Sequence, residues 1–538
     1  MTSTPTSYAD PPTSPAAVPR AALLTKAVAF FSGPVGLVTK YVLLAVANAV
    51  GLYSFTVLLA DGRWIVAAFV ALATVATDVV YLVPRAQVVP LKFLLPGTIL
   101  LILFQITPIV YNATIAFSNY STGHVQTKEE AIQTIKESSL APPANGRAYT
   151  MTPAEQDGEL VLLLRDDASG KVYVGSEDGL EGLPAGEVTV TNGTVTAAEG
   201  YDVLAGDKLG GIDQQLTQLV VPAGEDRFIR AEGLSTAVEL VPALRYDEAT
   251  DTFTSVETGA VFHDNGRGAY ATDSGETLEQ GWRVGVGFAN FKKIFTDPLV
   301  RDPFISVFLW TLAYAGLSVL FTFAFGLFLA IVLNESGLRL RRTQRALLVI
   351  PYAIPAFLAV FVWGGMLNDD FGLINNGLHL DIPWLFDANW AKVSCLLVNF
   401  WLGFPYFFLV CTGALQAIPE ELSEAARVDG AGGVQIFRKV TFPLLMVAVA
   451  PLLIASFAFN FNNFNNIYFL TRGGPYGEDQ VVAGSTDILI SYTYKLAFQA
   501  AGGADYGLAA AVSIIIFFII AMISAVSFSR TKALENLA

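Results

Sequence analysis

Apolar residues gather in eight long stretches, near residues 38–60, 64–83, 93–117, 304–333, 346–368, 391–418, 441–470 and 506–529. Each is about as long as a helix must be to cross a hydrocarbon core of roughly 30 Å. Gly33 and Pro34 interrupt the apolar run before the first stretch, and Lys40 stands at its start. Between the third and fourth stretches the pattern changes. Residues 120–285 carry short alternating runs (Leu160–Leu164, Val172–Val174, Glu187–Val195, Phe228–Arg230) set between Gly, Asp and Asn turns, with one helical pattern over Lys128–Ser138. The pattern predicts an α-helical polytopic membrane protein of about eight transmembrane helices with an inserted, mostly-β extracytoplasmic domain. Its segments are a tail at 1–37, helices one to three at 38–119, the insert at 120–285, and helices four to eight at 286–538 with a polar loop at 419–443.

Composition agrees. Hydrophobic residues make up 53% of the chain and charged residues only 15%, with mean hydropathy +0.51, which excludes an ordinary soluble domain. Charge then orients the helices. Arg20, Lys26 and Lys40, then Arg85 and Lys92, then Arg339, Arg341, Arg342 and Arg345, then Arg427, Arg438 and Lys439, and finally Arg530 and Lys532 all fall on one side of an eight-span chain. The positive-inside rule makes that side, with both termini, cytoplasmic. The opposite loops carry Asp369, Asp370, Asp381 and Asp387, then Glu478, Asp479 and Asp487. The insert holds 28 acidic and 11 basic residues, a net charge of −17 against −15 for the whole chain. Such a surface suits a protein partner rather than nucleic acid, or is simply well solvated. Residues 1–20, rich in Pro, Ser, Thr and Ala, read as disordered and lack the pattern of a cleavable signal peptide.

Candidate chemistry lies inside the membrane. Polar groups at bilayer depth are costly and usually face the bundle interior or a water-filled cavity. The run Ser456–Asn466 contains five asparagines among phenylalanines. Ser456, Asn460 and Asn463 stand at i, i+4 and i+7, so a continuous helix puts them on one face, with Phe459 beside them. Amides and hydroxyls both donate and accept, as sugar hydroxyls require, and an aromatic ring stacks on a pyranose. The alternative is that the asparagines bind helices together. Pro351 and Pro355 flank Tyr352 in the fifth stretch, and the sixth contains Asn399, Leu402, Gly403, Pro405 and Tyr406. Two prolines in one span imply a break of the kind that lines transport sites, or a simple kink. Cys395 and Cys411 read as small buried hydrophobes. His124, His263 and His379 show no metal-ligand spacing, and the chain has no GxxxxGK[ST], HExxH or GxSxG motif. The expectation is a non-enzymatic chain with no cofactor of its own.

The loop at 419–443 carries the most specific signal. Glu424, Ala425, Ala426, Asp429 and Gly430, followed by Val440, Phe442 and Pro443, read as two short helices joined at a glycine. The alternative is an amphipathic interfacial helix. This spacing resembles the EAA signature of permease subunits in binding-protein-dependent ABC importers, with Val440 and Phe442 where that family prefers Ile and Leu. From Val307 onward the chain closely resembles the MalF family, the larger permease subunits of bacterial maltose/maltodextrin importers. The shared motifs include Pro351–Pro355, Trp401–Tyr406, Ala455–Phe464, Thr471–Pro475, Tyr492–Tyr494 and Asp505–Ala511, with a short match at Ala116–Ser121. The resemblance implies sugar contacts at Tyr352, Asn399, Leu402, Gly403, Tyr406, Ser456, Phe459, Asn460 and Asn463. It implies ATPase docking at Glu424, Ala425, Ala426, Asp429 and Gly430. It further implies a location in the bacterial cytoplasmic membrane, a MalG-like second permease subunit, two MalK-like ATPase subunits holding ATP and Mg, and an extracytoplasmic sugar-binding protein. Another glucoside such as trehalose fits the same chemistry. A secondary carrier would want Asp, Glu or His near the centres of spans four to eight, where none stands. A membrane-anchored receptor or enzyme would need a constellation in the insert, which offers only acid pairs such as Asp166 and Asp167.

Overall fold

The computed structural model describes residues 33–83, 88–143, 145–204, 206–224, 226–334, 340–477, 482–499 and 503–535. Arg20, Lys26, Arg85, Arg339, Glu478, Asp479 and the tail at 1–20 lie outside the described residues. The chain divides into two compact units, Met1–Tyr111 and Asn112–Ala538.

Among the described residues, six helical segments are long and apolar enough to cross a membrane: Pro34–Ala60, Val89–Ala116, Pro298–Val332, Ala388–Ala417, Gly433–Thr471 (interrupted at Asn462 and Asn463) and Tyr506–Ser529. The fifth expected span is a broken pair, Arg341–Ala353 and Ala356–Met366, bent by 93°. Ile354 and Pro355 are extended at the break, because the residue before a proline avoids the helical region and the proline itself lacks a donor. The second expected span is the 19-residue helix Trp64–Leu82, about 28 Å long at 1.5 Å per residue. Within the first unit it pairs with Pro34–Ala60 through Asn48 Nδ2, which donates to Asp78 Oδ1 at 2.8 Å.

The β-rich insert is present in the second unit. Its largest sheet has nine strands, with Ala148–Gln156 and Glu159–Asp166 at the centre, paired antiparallel from Tyr149 opposite Asp166 to Gln156 opposite Glu159. One face of these strands buries Tyr149, Met151, Leu162 and Leu164 with Val221 and Ile229. The other face buries Ala154, Val161 and Leu163 with Val172 and Val174. A five-stranded sheet packs Phe253, Phe262, Tyr270 and Trp282 against Ala131 and Ile135 of helix Lys128–Ser138. That helix begins in a capping box of Thr127 and Glu130. Lys128 clamps it down, pairing with Asp251 and Asp264 beneath the Tyr270 and Trp282 rings.

The insert is stitched to the membrane helices. Ser118 bridges Gly285, and Asn119 bonds the backbone of Arg267, Trp282 and Val284. Asn290 Nδ2 donates to the carbonyls of Ala116 and Ser118 at 2.9 and 2.8 Å. Thr122 and Tyr120 exchange backbone bonds with Ala504 and Gly507 at the start of the last span.

Within the bundle, Pro298–Val332 lies against Ala388–Ala417 at unusually short range. A Cβ on Gly326 would stand 2.7 Å from the Phe407 Cβ and the Phe408 nitrogen, and one on Gly403 would stand 2.9 Å from Thr322 Cγ2. Small residues let membrane helices approach until backbones touch, which replaces the hydrophobic drive that lipid cannot supply.

Candidate functional site

The asparagine-rich run does not form one continuous helix. The helix Phe442–Phe461 ends at Asn462, and a second begins at Phe464 with Asn463 as its cap, its side chain accepting from the Asn466 N–H. Asparagine competes for its own backbone in this way and favours caps over helix interiors. Ser456 and Asn460 keep the expected face, while Asn463 reaches it from the break.

The break gathers the amides. Asn399 Nδ2, on helix Ala388–Ala417, donates to Asn460 Oδ1 at 2.7 Å. Asn463 Nδ2 donates to Asn399 Oδ1 at 3.0 Å. Asn460 Nδ2 donates to the Ser456 carbonyl at 2.8 Å and its hydroxyl at 3.3 Å. Asn399 and Asn460 are buried. One turn further on, Asn466 Nδ2 donates to Tyr314 OH at 2.7 Å and to the Cys395 carbonyl at 3.1 Å. Asn399, Ser456, Asn460 and Asn463 therefore form one bonded group, and Asn466 and Tyr314 extend it to a third helix. Each amide retains an unused donor or acceptor.

The other residues expected at the site fall in different surroundings. Phe459 is 69% exposed and Tyr352 57% exposed. Tyr352 stacks with Tyr406, centroids 6.4 Å apart, across the broken span and helix Ala388–Ala417. Leu402 packs into a core with Trp310, Trp363 and Ile467, and Gly403 faces Thr322. Leu402 and Gly403 thus seat the helix that carries Asn399. Asn466, whose signal is the same run taken with a helix break in it, and the Asp487–Lys495 pair are not among the residues expected from the sequence. That pair is buried, Asp487 also accepting from Ser491 Oγ at 2.7 Å and from the Gly484 N–H at 2.7 Å. Burial raises the Asp487 carboxyl above its ordinary range, against the pull of Lys495. Among the described residues no group of His, Cys, Asp or Glu is arranged to hold a metal ion.

The polar loop forms the helix Glu420–Val428, with Glu420 and Glu421 in its first turn and Arg427 in its last, each complementing the helix dipole. It stops in a Schellman turn. Gly430 takes φ +83°, its N–H donates to the Arg427 carbonyl, and the Ala431 N–H donates to that of Ala426. Glu424, Ala425 and Asp429 are exposed and Ala426 half-buried. After the turn Ile436 is buried, and Phe437 packs on Phe442 at 5.7 Å, tying the loop to the next membrane helix.

A bundle with a broken span, intramembrane amides and an exposed polar loop between two core helices is the frame of a transport permease. Residues 322–533 match the family of binding-protein-dependent transport system inner membrane components. Residues 99–178 match the N-terminal region of the transmembrane subunit in PBP-dependent ABC transporters. The chain is thus a multi-pass permease subunit of an ABC importer, a transport component. The maltose/maltodextrin transport system permease protein MalF of Vibrio cholerae is 34% identical over 517 residues, 91% of this chain and 94% of the relative. Those of Vibrio vulnificus and Klebsiella aerogenes are 33% and 32% identical, over 95% and 89% of this chain and 98% and 94% of theirs. The chain belongs to the MalF family. Among solved structures, a bacterial ABC transporter involved in the import of the acidic polysaccharide alginate overlaps 46% of this chain and 84% of that chain, at 24% identity and TM-score 0.41.

Proposed function

We propose that this chain forms one half of a mid-membrane path for maltose or a maltodextrin and docks an ATPase through helix Glu420–Val428. The observations that carry the reading are the bonded group of Asn399, Ser456, Asn460 and Asn463 and the exposed ring of Phe459, which neighbours Asn460 in the chain. Sugar hydroxyls exchange with amide–amide bonds at little net cost, since each amide both donates and accepts. A ring left bare by its own chain offers a face for stacking.

On this reading both termini and the docking helix are cytoplasmic. A MalG-like subunit completes the path, two MalK-like subunits hold ATP and Mg, and a soluble sugar-binding protein engages the acidic insert. Loaded binding protein and ATP favour the same conformation, so each strengthens the other's binding by one coupling free energy.

The test is uptake in proteoliposomes holding the assembled importer. Glu424→Lys reverses the charge of the docking face, and Gly430→Pro is incompatible with φ +83°. Both variants should insert normally yet lose sugar-dependent ATP hydrolysis or shed the ATPase. Normal uptake with either would remove the docking role. Competition of maltose uptake by maltotriose and by trehalose then assigns the sugar.

A further inference from the structure

A second site, unrelated to the sugar path, lies where helix Pro298–Val332 ends and helix Arg341–Ala353 begins. Arg341 and Arg345 stand four residues apart, hence on one helix face, with exposed Arg342 beside them. Arg345 Nη2 donates to the Leu333 carbonyl at 2.9 Å, and Arg341 Nη2 to Asn334 Oδ1 at 3.2 Å. The two guanidiniums are thus held in place by neutral acceptors. The Nε atoms of both are buried and have no hydrogen-bond partner among the described residues. Among the described residues no carboxylate pairs with Arg341, Arg342 or Arg345.

This arrangement is unfavourable as it stands. Like charges at i and i+4 repel, cations in the first turn oppose the helix dipole, and a buried guanidinium N–H without an acceptor forfeits its solvation. An anion with several oxygens seated between the forks offsets all three penalties. We propose that Arg341 and Arg345 seat the phosphate of an anionic phospholipid.

Depth and charge select this ligand. The helix turns apolar at once after Arg345, through Ala346, Leu347 and Leu348, so the arginines lie at headgroup level. Basic clusters on the cytoplasmic side attract anionic lipids, and guanidinium forks match phosphate oxygens in pairs. A carboxylate from the ATPase is disfavoured on the reading above. The docking helix presents Glu420, Glu421 and Glu424, so the complementary face is basic and Arg341 would meet a like charge.

The experiment uses the full chain with its copurifying subunits in nanodiscs of phosphatidylcholine, with or without phosphatidylglycerol, read by native mass spectrometry after delipidation. Wild type should retain phosphatidylglycerol, and Arg341→Gln/Arg345→Gln should retain roughly tenfold less. Arg345→Lys, which keeps the charge and loses the fork, should fall between. Inorganic phosphate should not displace the lipid. Equal retention by wild type and the double variant overturns the proposal. Displacement by inorganic phosphate assigns the seat to free phosphate, and loss of ATPase subunits without loss of lipid assigns it to a protein carboxylate; either result also overturns it. Asn460→Leu serves as the independent control: it should alter uptake and leave lipid retention unchanged.

Discussion

Two phenylalanines two residues apart give the sharpest test of the sugar path. Phe459 and Phe461 share helix Phe442–Phe461, but Phe459 is 69% exposed and Phe461 fully buried. Phe461 packs in the core with Tyr492, Leu508 and Val512, 6.0 Å from the Phe457 ring. Replacing each by alanine separates ligand binding from folding. Phe461→Ala opens a cavity and should cost about 3–5 kcal/mol of stability. Phe459→Ala removes a ring the fold barely uses. If a pyranose covers roughly 50 Å² of that ring at about 25 cal/mol per Å², and stacking adds about 0.5–1.5 kcal/mol, the sugar loses about 2 kcal/mol. That is roughly a thirtyfold fall in uptake at limiting sugar. The assay is uptake of labelled maltose into proteoliposomes across a range of loaded binding protein, beside thermal melts of the same samples. Phe459→Ala should melt like wild type and transport poorly; Phe461→Ala should melt early. Wild-type uptake by Phe459→Ala at limiting sugar would refute the stacking role, because no loss of folding could mask or mimic it.

Other substitutions probe the surroundings. Asn460→Leu strands the Asn399 donor and should cost about 1–3 kcal/mol, with lower uptake, whereas Asn465→Leu on the exposed side of the break should do little; equal sensitivity in melts and uptake would make the asparagines mere helix contacts. Lys495→Met leaves the Asp487 carboxylate buried without a countercharge, at about 3–5 kcal/mol; adding Asp487→Asn should recover part of the melting temperature, and no recovery would deny the pairing. In the insert, burial works against the charge of Asp251, but hydrogen bonds from Lys128, Tyr270 and Tyr246 outweigh it and hold the carboxyl below its ordinary value. Its contribution is therefore full above the unfolded value of about 3.9 and is lost as pH falls through the lower folded one. The insert should melt earlier below about pH 4, and Asp251→Asn should flatten that slope; an unchanged slope would place the acid sensitivity elsewhere.

Features governed by local chemistry were legible in the sequence. The apolar lengths locate the spans, Pro351 and Pro355 locate the broken one, and Gly430 locates a turn that needs φ above zero. Features that depend on which distant group fills a space were not. The i, i+4, i+7 spacing of Ser456, Asn460 and Asn463 presumes an unbroken helix. Asparagine is as well suited to capping as to facing a cavity, and only Asn399 across the interface shows why the chain breaks where it does. Asp487 reads as one more outer-loop acid because charge alone does not reveal burial; Lys495, eight residues on, becomes its partner only once the short helix Leu489–Phe498 has folded back. The need for glycine at 403 was not legible either: a side chain there would run into Thr322, on a helix far earlier in the chain.

On the transport reading, that last placement bears on how a push at the loop 419–443 would reach the amides. Helix Ala388–Ala417 cannot slide freely over Pro298–Val332, since Gly326 lies against the backbone of Phe407 and Phe408 and Gly403 lies against the Thr322 side chain, and such interfaces have discrete rather than continuous arrangements. The helix Glu420–Val428 hangs between the end of Ala388–Ala417 and the start of the segment leading to Phe442–Phe461. One of these two helices carries Asn399 and the other Asn460, joined at 2.7 Å. A displacement of the loop therefore acts on both sides of a single amide–amide bond. With Ala388–Ala417 locked to its glycine-lined neighbour, the softer side is Phe442–Phe461, which the break at Asn462 already frees from the helix beyond it. On the transport reading, ATPase closure would then swing Ser456, Phe459 and Asn460 relative to a fixed Asn399, opening or closing the amide group to sugar without unfolding either helix.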